Sequence, residues 1–147
     1  MVAVHMLHQK QIDNFRFQYN DVFYTIFRIM VGILFMFHGA QKLFGVFAKS
    51  GPKPLMSLMG VAGIVEFFGG LLIVLGLFTS LVAIIAAVQM VVAFFKAHFT
   101  IANPVPILNG GELALLYLAV FLYIFFEGGG KYSVDAKMCK NCEKEHK

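Results

Sequence analysis

The chain has 147 residues, of which 59% are hydrophobic and 14% charged, with a mean hydropathy of +0.77 and a formal charge of +4. A soluble domain of this size needs more polar surface than that, so the apolar surplus must face lipid. The positive charge is spread over tails and loops, and basic domains that grip nucleic acid lack apolar runs this long, which excludes a nucleic-acid partner.

Residues 1–21 hold no apolar stretch long enough for a signal peptide, so they are expected to form an N-terminal cytoplasmic tail, and the first span to act as the targeting signal. One crossing of a hydrocarbon core about 30 Å thick takes roughly 20 helical residues. The first apolar block, 22–44, is expected to be capped by Asn20 or Asp21. The second, 54–76, follows the turn Ser50-Gly51-Pro52-Lys53-Pro54, with Pro54 tolerated in the first helical turn. The third, 80–98, is expected to begin behind Thr79 or Ser80. Pro104, Pro106 and Gly110-Gly111 mark a connector. The fourth span, 110–127, starts behind Asn109 and ends at Gly128-Gly129-Gly130, leaving 128–147 as a polar C-terminal tail.

The expected fold is therefore all-α, an integral membrane, up-and-down four-transmembrane-helix bundle. Continuous apolar runs exclude a transmembrane barrel, whose strands alternate. Four spans put both termini on one side, with Lys10, Arg16, Lys131, Lys137, Lys140, Lys144 and Lys147. The opposite loops carry Lys42, Lys49, Lys53 and Lys96, and the bias favours cytoplasmic termini in a cell's inner membrane. With 17 Phe and no Trp, the interfacial belts fall to Phe and Tyr. Gly60, Gly63 and Gly70 recur at helical spacing with Gly69 beside them, a face on which helix backbones can approach closely.

Ionisable groups inside spans are costly and turn toward a bundle interior or cavity. Arg28, His38 and Lys42 share one face of the first span, Glu66 lies mid-way along the second and Gln89 mid-way along the third. Counting about 1.5 Å per residue from the outer end places Arg28 roughly 23 Å deep and Glu66 roughly 18 Å deep, so an Arg28–Glu66 pair is expected. His38, Lys42, Lys96, His98, Asn109 and Glu112 gather in the outer third, with Tyr117 deeper. Histidine beside carboxylate near a membrane surface suits a proton-coupled quinone site, with His38, Glu66 and Glu112 handling protons and Arg28, His38, Lys42, His98 and Asn109 binding the headgroup. Asn109-x-x-Glu112 reads equally as a capping box, and Lys42 and Lys96 equally as snorkelling side chains. Haem ligation by His38 and His98 is disfavoured, because His98 sits about 9 Å higher by the same count.

Cys139-Lys140-Asn141-Cys142 lies in the C-terminal tail, and His5 and His8 in the other tail stand at H-x-x-H spacing. Both tails are expected on one side, so Cys139, Cys142, His5 and His8 are a candidate set for zinc or iron. A redox dithiol and an idle solvated tail stand beside it.

In order, the chain reads Arg28-x3-Gly32-x2-Phe35-x2-His38-Gly39-x2-Lys42, then Glu66-x2-Gly69-Gly70-x5-Gly76-x2-Thr79. His98, Asn109-Gly110-Gly111-Glu112, Tyr117 and Gly128-x-Gly130-x2-Ser133-x-Asp135 follow. As an ordered set this resembles the DoxX family of small four-span membrane proteins. The family is functionally mixed: some members resemble the membrane subunit of a thiosulfate:quinone oxidoreductase and others look like membrane parts of assemblies for thiol or oxidative-stress responses, so the resemblance implies that, if this chain is part of an enzyme, a partner subunit holds the substrate. Two other readings stand beside a quinone-facing subunit. One is an accessory, non-catalytic scaffold of a respiratory or photosynthetic complex that binds lipid, pigment or other protein subunits. The other, ranked last, is a transporter.

Overall fold

The computed structural model describes the backbone of residues 2–48 and 51–145, and side chains over 18–48 and 51–139. Among the described residues there are helices and no strand. They are α1 (Val2–Phe44), α2 (Leu58–Leu75), α3 (Thr79–Ala93), the short α4 (Pro106–Asn109), α5 (Glu112–Glu127) and α6 (Val134–Glu145). α3 continues into a single π turn, Phe94–His98, closed by the Phe99 amide on the Phe94 carbonyl at 2.8 Å.

Among the described residues, three helical stretches are long and apolar enough to cross a membrane: Gln18–Phe44, Leu58–Leu75 and Thr79–His98. α5, with 16 residues, rises about 24 Å, short of a full hydrocarbon core. Large apolar side chains stay exposed along every one of these helices, among them Met30, Phe37, Leu71, Leu81 and Leu116. In water such a surface would aggregate; here it is the lipid face.

The helices associate as two pairs, α1 on α2 and α3 on α5, with slighter contact between α2 and α3. Glycine sets the first pair. A Cβ built on Gly39 would lie 2.3 Å from the Phe67 amide nitrogen, and one on Gly70 would lie 2.6 Å from the Gly32 carbonyl oxygen. Backbones that close tolerate no side chain between them, so these glycines fix both the spacing and the register of α1 against α2. Phe35, Phe121, Ile73, Ala83 and Ala86 fill the interior where the two pairs meet.

Four expected boundaries are corrected. α1 begins at Val2 and passes through Asn20 and Asp21 without a cap there. α2 begins at Leu58, because Pro54 belongs to a turn: its carbonyl accepts from the Ser57 amide and hydroxyl, and Ser57 is the N-cap, accepting from the Gly60 amide at 3.0 Å. Neither Thr79 nor Ser80 caps α3. The residue before it, Phe78, stands in the left-handed region (φ 49°) with no cap of its own. The cap comes from Asp135, whose carboxylate accepts from the Phe78 amide (2.8 Å), the Thr79 amide (2.9 Å) and the Thr79 hydroxyl (2.8 Å). Gly111, not Asn109, is the N-cap of α5.

Candidate functional site

The polar groups divide between the two ends of the bundle. One end holds the α2–α3 turn and the start of α6; the other holds the α1–α2 loop and the α3–α5 connector.

Arg28 belongs to the first. It is 1% exposed, and its guanidinium donates to the carbonyls of Ile73, Val74 (2.8 Å) and Tyr132 (3.1 Å). The Ile73 carbonyl also accepts from the Gly76 amide at 3.1 Å, and a cation is the natural complement to this end of the helix dipole. The expected Arg28–Glu66 pair is thus corrected: Arg28 donates to backbone carbonyls, Glu66 pairs with Lys42, and Arg28 does not line the cavity described below. The cause is the late start of α2. Removing four residues from its upper end raises Glu66 by about 6 Å, which sets it against Lys42. Asp135 completes this lower end. Partial burial pushes its carboxyl up, but the bonds from Thr79 and Phe78 and the Arg28 charge outweigh that and hold it below its ordinary value.

The second group surrounds a cavity of about 500 Å³ between the two helix pairs, walled by α1, α2, α3 and α5. Glu66, 2% exposed, forms an ion pair with Lys42, and the same oxygen, Oε1, accepts from Gln89 Nε2 at 2.8 Å. Gln89 Nε2 also reaches the Ala62 carbonyl at 3.4 Å. Both partners of that nitrogen are acceptors, so the orientation of the amide is settled. One oxygen of each acid and amide is left over: Glu66 Oε2 and Gln89 Oε1 are buried without a hydrogen-bond partner among the described residues. A buried, unsatisfied polar atom costs about 1–3 kcal/mol.

His38 lies against the edge of Tyr117, their ring centroids 5.8 Å apart at 88°, and both line the cavity. The π turn at the end of α3 brings Lys96 and His98 to its rim. His98 Nδ1 lies 3.1 Å from the Asn109 carbonyl; a carbonyl only accepts, so Nδ1 donates, and in the neutral ring Nε2 keeps its lone pair. Asn109 works through this contact and through its side chain, which binds the Asn103 carbonyl and the Gly111 amide, and does not itself line the cavity. Glu112 is exposed in the first turn of α5 and lies outside the lining. The structure thus brings His38, Lys42, Glu66 and His98 together and leaves Arg28, Asn109 and Glu112 out of the lining.

Exposed lining residues include Val61 of α2 and Val88 of α3, at 49% and 58%, so part of the cavity's opening lies along the α2–α3 seam on the lipid face; Leu58 and Leu113 extend the exposed lining to the outer end. Gln89 and Tyr117 were absent from the expected site. A lone amide in the otherwise apolar run of α3 was the available signal for Gln89. Of the expected metal set, only the side chain of Cys139 lies among the described ones, exposed and free; Cys142, His5 and His8 fall outside them.

A chain that is helical over its described elements, with several apolar spans and a charge-floored cavity open toward lipid, is a multi-pass membrane protein. It belongs to the DoxX family, whose pattern matches residues 23–99. The chain is similar to an uncharacterised protein of Haemophilus influenzae, 38% identical over 128 residues, covering 84% of this chain and 96% of that one. It is also similar to the inner membrane protein YqjF of Escherichia coli, 32% identical over 127 residues, 82% and 95% of the two chains. An uncharacterised membrane protein of Mycobacterium tuberculosis is 25% identical over 129 residues, 77% and 79% of the two chains. No solved structure matches the chain.

Proposed function

We propose that the chain is the quinone-binding membrane subunit of an electron-transfer assembly, and that the cavity between the helix pairs is its site. The observation that carries this reading is the cavity itself: a lateral, lipid-facing mouth leading to a floor of Lys42, Glu66 and Gln89 with two buried oxygens unsatisfied. A lipid-soluble ring with oxygen substituents fits both halves. Its tail would lie along the α2–α3 seam, while its head would meet Glu66 and Gln89 below and His38, Tyr117 and His98 around it. A volume of about 500 Å³ is within the usual range of roughly 300–1,000 Å³ for small-molecule sites. When bound, the quinone would supply the electron chemistry, while Glu66 and His38 hold or move protons beside it. α5 is read as the fourth crossing, since it pairs with α3 along the bundle. This puts both termini on one side, the cytoplasmic one by the lysine bias. The inner membrane is the location favoured by the name of the Escherichia coli relative.

Gentle extraction of the full chain, solvent extraction of the preparation and chromatography for quinone would test this. The wild type is expected to carry quinone, and His38→Ala to lose most of it with its helical spectrum unchanged. Protein that carries none and takes up none when it is added would overturn the reading. Attached subunits in such a preparation would then favour the accessory scaffold. Zinc or iron at the tail cysteines is a separate proposal, decided by metal analysis of the same preparation.

A further inference from the structure

On the footing of the quinone reading above, we infer that the cavity selects the reduced, hydroxyl-bearing form of its ligand over the oxidised form. The selection lies in the cavity floor. Gln89 Nε2 is committed to Glu66 Oε1 and the Ala62 carbonyl, so the group Gln89 has left, Oε1, only accepts. Glu66 is ion-paired with Lys42 through Oε1, and as a carboxylate its remaining Oε2 also only accepts. Both atoms are buried, both lack partners, and both belong to side chains that line the cavity.

A quinone presents two carbonyl oxygens, which accept. Against this floor it would place acceptor beside acceptor and leave both unsatisfied atoms as they are. A hydroquinone presents two hydroxyls, each able to donate. One hydroxyl meeting either oxygen removes a penalty of about 1–3 kcal/mol, which corresponds to roughly five- to 150-fold in affinity. The donors that line the cavity do not reverse this: Lys42 and Lys96 only donate, and a hydroxyl oxygen accepts from them as a carbonyl oxygen does. Tyr117 offers a hydroxyl, and an imidazole such as His38 can take either role, so these groups adapt to both forms. The preference is therefore set at Glu66 and Gln89.

The test is equilibrium binding of a decyl-substituted benzohydroquinone and of the matching benzoquinone to the full chain in lipid nanodiscs. It would be run under argon, with empty discs as the control for partitioning. The hydroquinone is expected to bind at least about tenfold more tightly. Through linkage, a tenfold preference would raise the potential of the bound two-electron couple by about 30 mV. Gln89→Met removes one acceptor at similar volume and should shrink the preference severalfold. Glu66→Gln places an amide donor among the floor groups and should reduce it likewise; either variant suffices if the other fails to fold. Equal binding of the two forms, or tighter binding of the quinone, would overturn the selectivity while leaving the quinone site standing. Binding of neither form would mean that the floor oxygens are met by water alone, and would overturn the quinone reading with it.

Discussion

Replacing Lys42 by methionine removes the cation from a carboxylate that is 2% exposed and leaves Glu66 with only the Gln89 bond. Breaking a fully buried ion pair in this way costs about 3–5 kcal/mol. The Lys42 side chain, however, is 22% exposed and partly hydrated, so the pair is worth less, and roughly 2–3 kcal/mol is the expected loss for Lys42→Met. That corresponds to about a 30- to 150-fold shift in the folding equilibrium. Unfolding in mixed micelles with increasing dodecyl sulfate, followed by circular dichroism, would measure it. The double variant with Glu66→Gln removes the stranded charge as well, and should recover more than half of the loss. A Lys42→Met chain within about 0.5 kcal/mol of wild type would refute the reasoning, because the carboxylate would then not depend on its cation.

Three further outcomes are expected. Asp135→Asn weakens the cap of α3 and should cost about 1–2 kcal/mol. Because the folded carboxyl is held below its ordinary value, its contribution is present above the ordinary carboxylate range and is lost as pH falls through the folded value; acid unfolding of the wild type should therefore approach that of the variant, read by circular dichroism between pH 7 and strongly acid conditions. Gly39→Ala forces a methyl against the Phe67 backbone 2.3 Å away, and should destabilise by at least about 2 kcal/mol in the same micelle titration, whereas Gly51→Ala, with open space around its Cβ position but a left-handed φ of 66°, should cost only about 1 kcal/mol from backbone strain. Replacing Cys139 and Cys142 by serine should leave quinone content unchanged on chromatography, since α6 starts at the end of the bundle opposite the cavity.

The membrane class, the helix breaks at Pro and Gly and the glycine face of α2 were legible in the sequence, because each follows from run length or from small residues at helical spacing. The start of α2 was not. Pro54 is equally at home in a first helical turn and in the turn that precedes one, and only the Ser57 cap decides between them. That four-residue difference moved Glu66 from Arg28 to Lys42 and left Arg28 to the carbonyls at the end of α2. The cap of α3 was hidden for another reason: Asp135 lies 56 residues beyond Thr79, and no local pattern announces a bond of that span. Of the site, His38, Lys42, Glu66 and His98 could be picked out as ionisable groups in apolar runs. Gln89, neutral and solitary, drew less notice than its two bonds to α2 warrant.

The bond between Asp135 and the head of α3 also imposes an order on assembly. As the chain emerges, α2 and α3 can enter the bilayer, but the amides of Phe78 and Thr79 must stay with water or headgroups until everything through α5 has been made. Asp135 then arrives with its own amide on the Gly76 carbonyl and latches the turn at 2.9 Å. Synthesis thus closes the bundle from its far end: a chain cut short after α5 would hold its hydrophobic helices yet lack the fastening that joins the two pairs at their base.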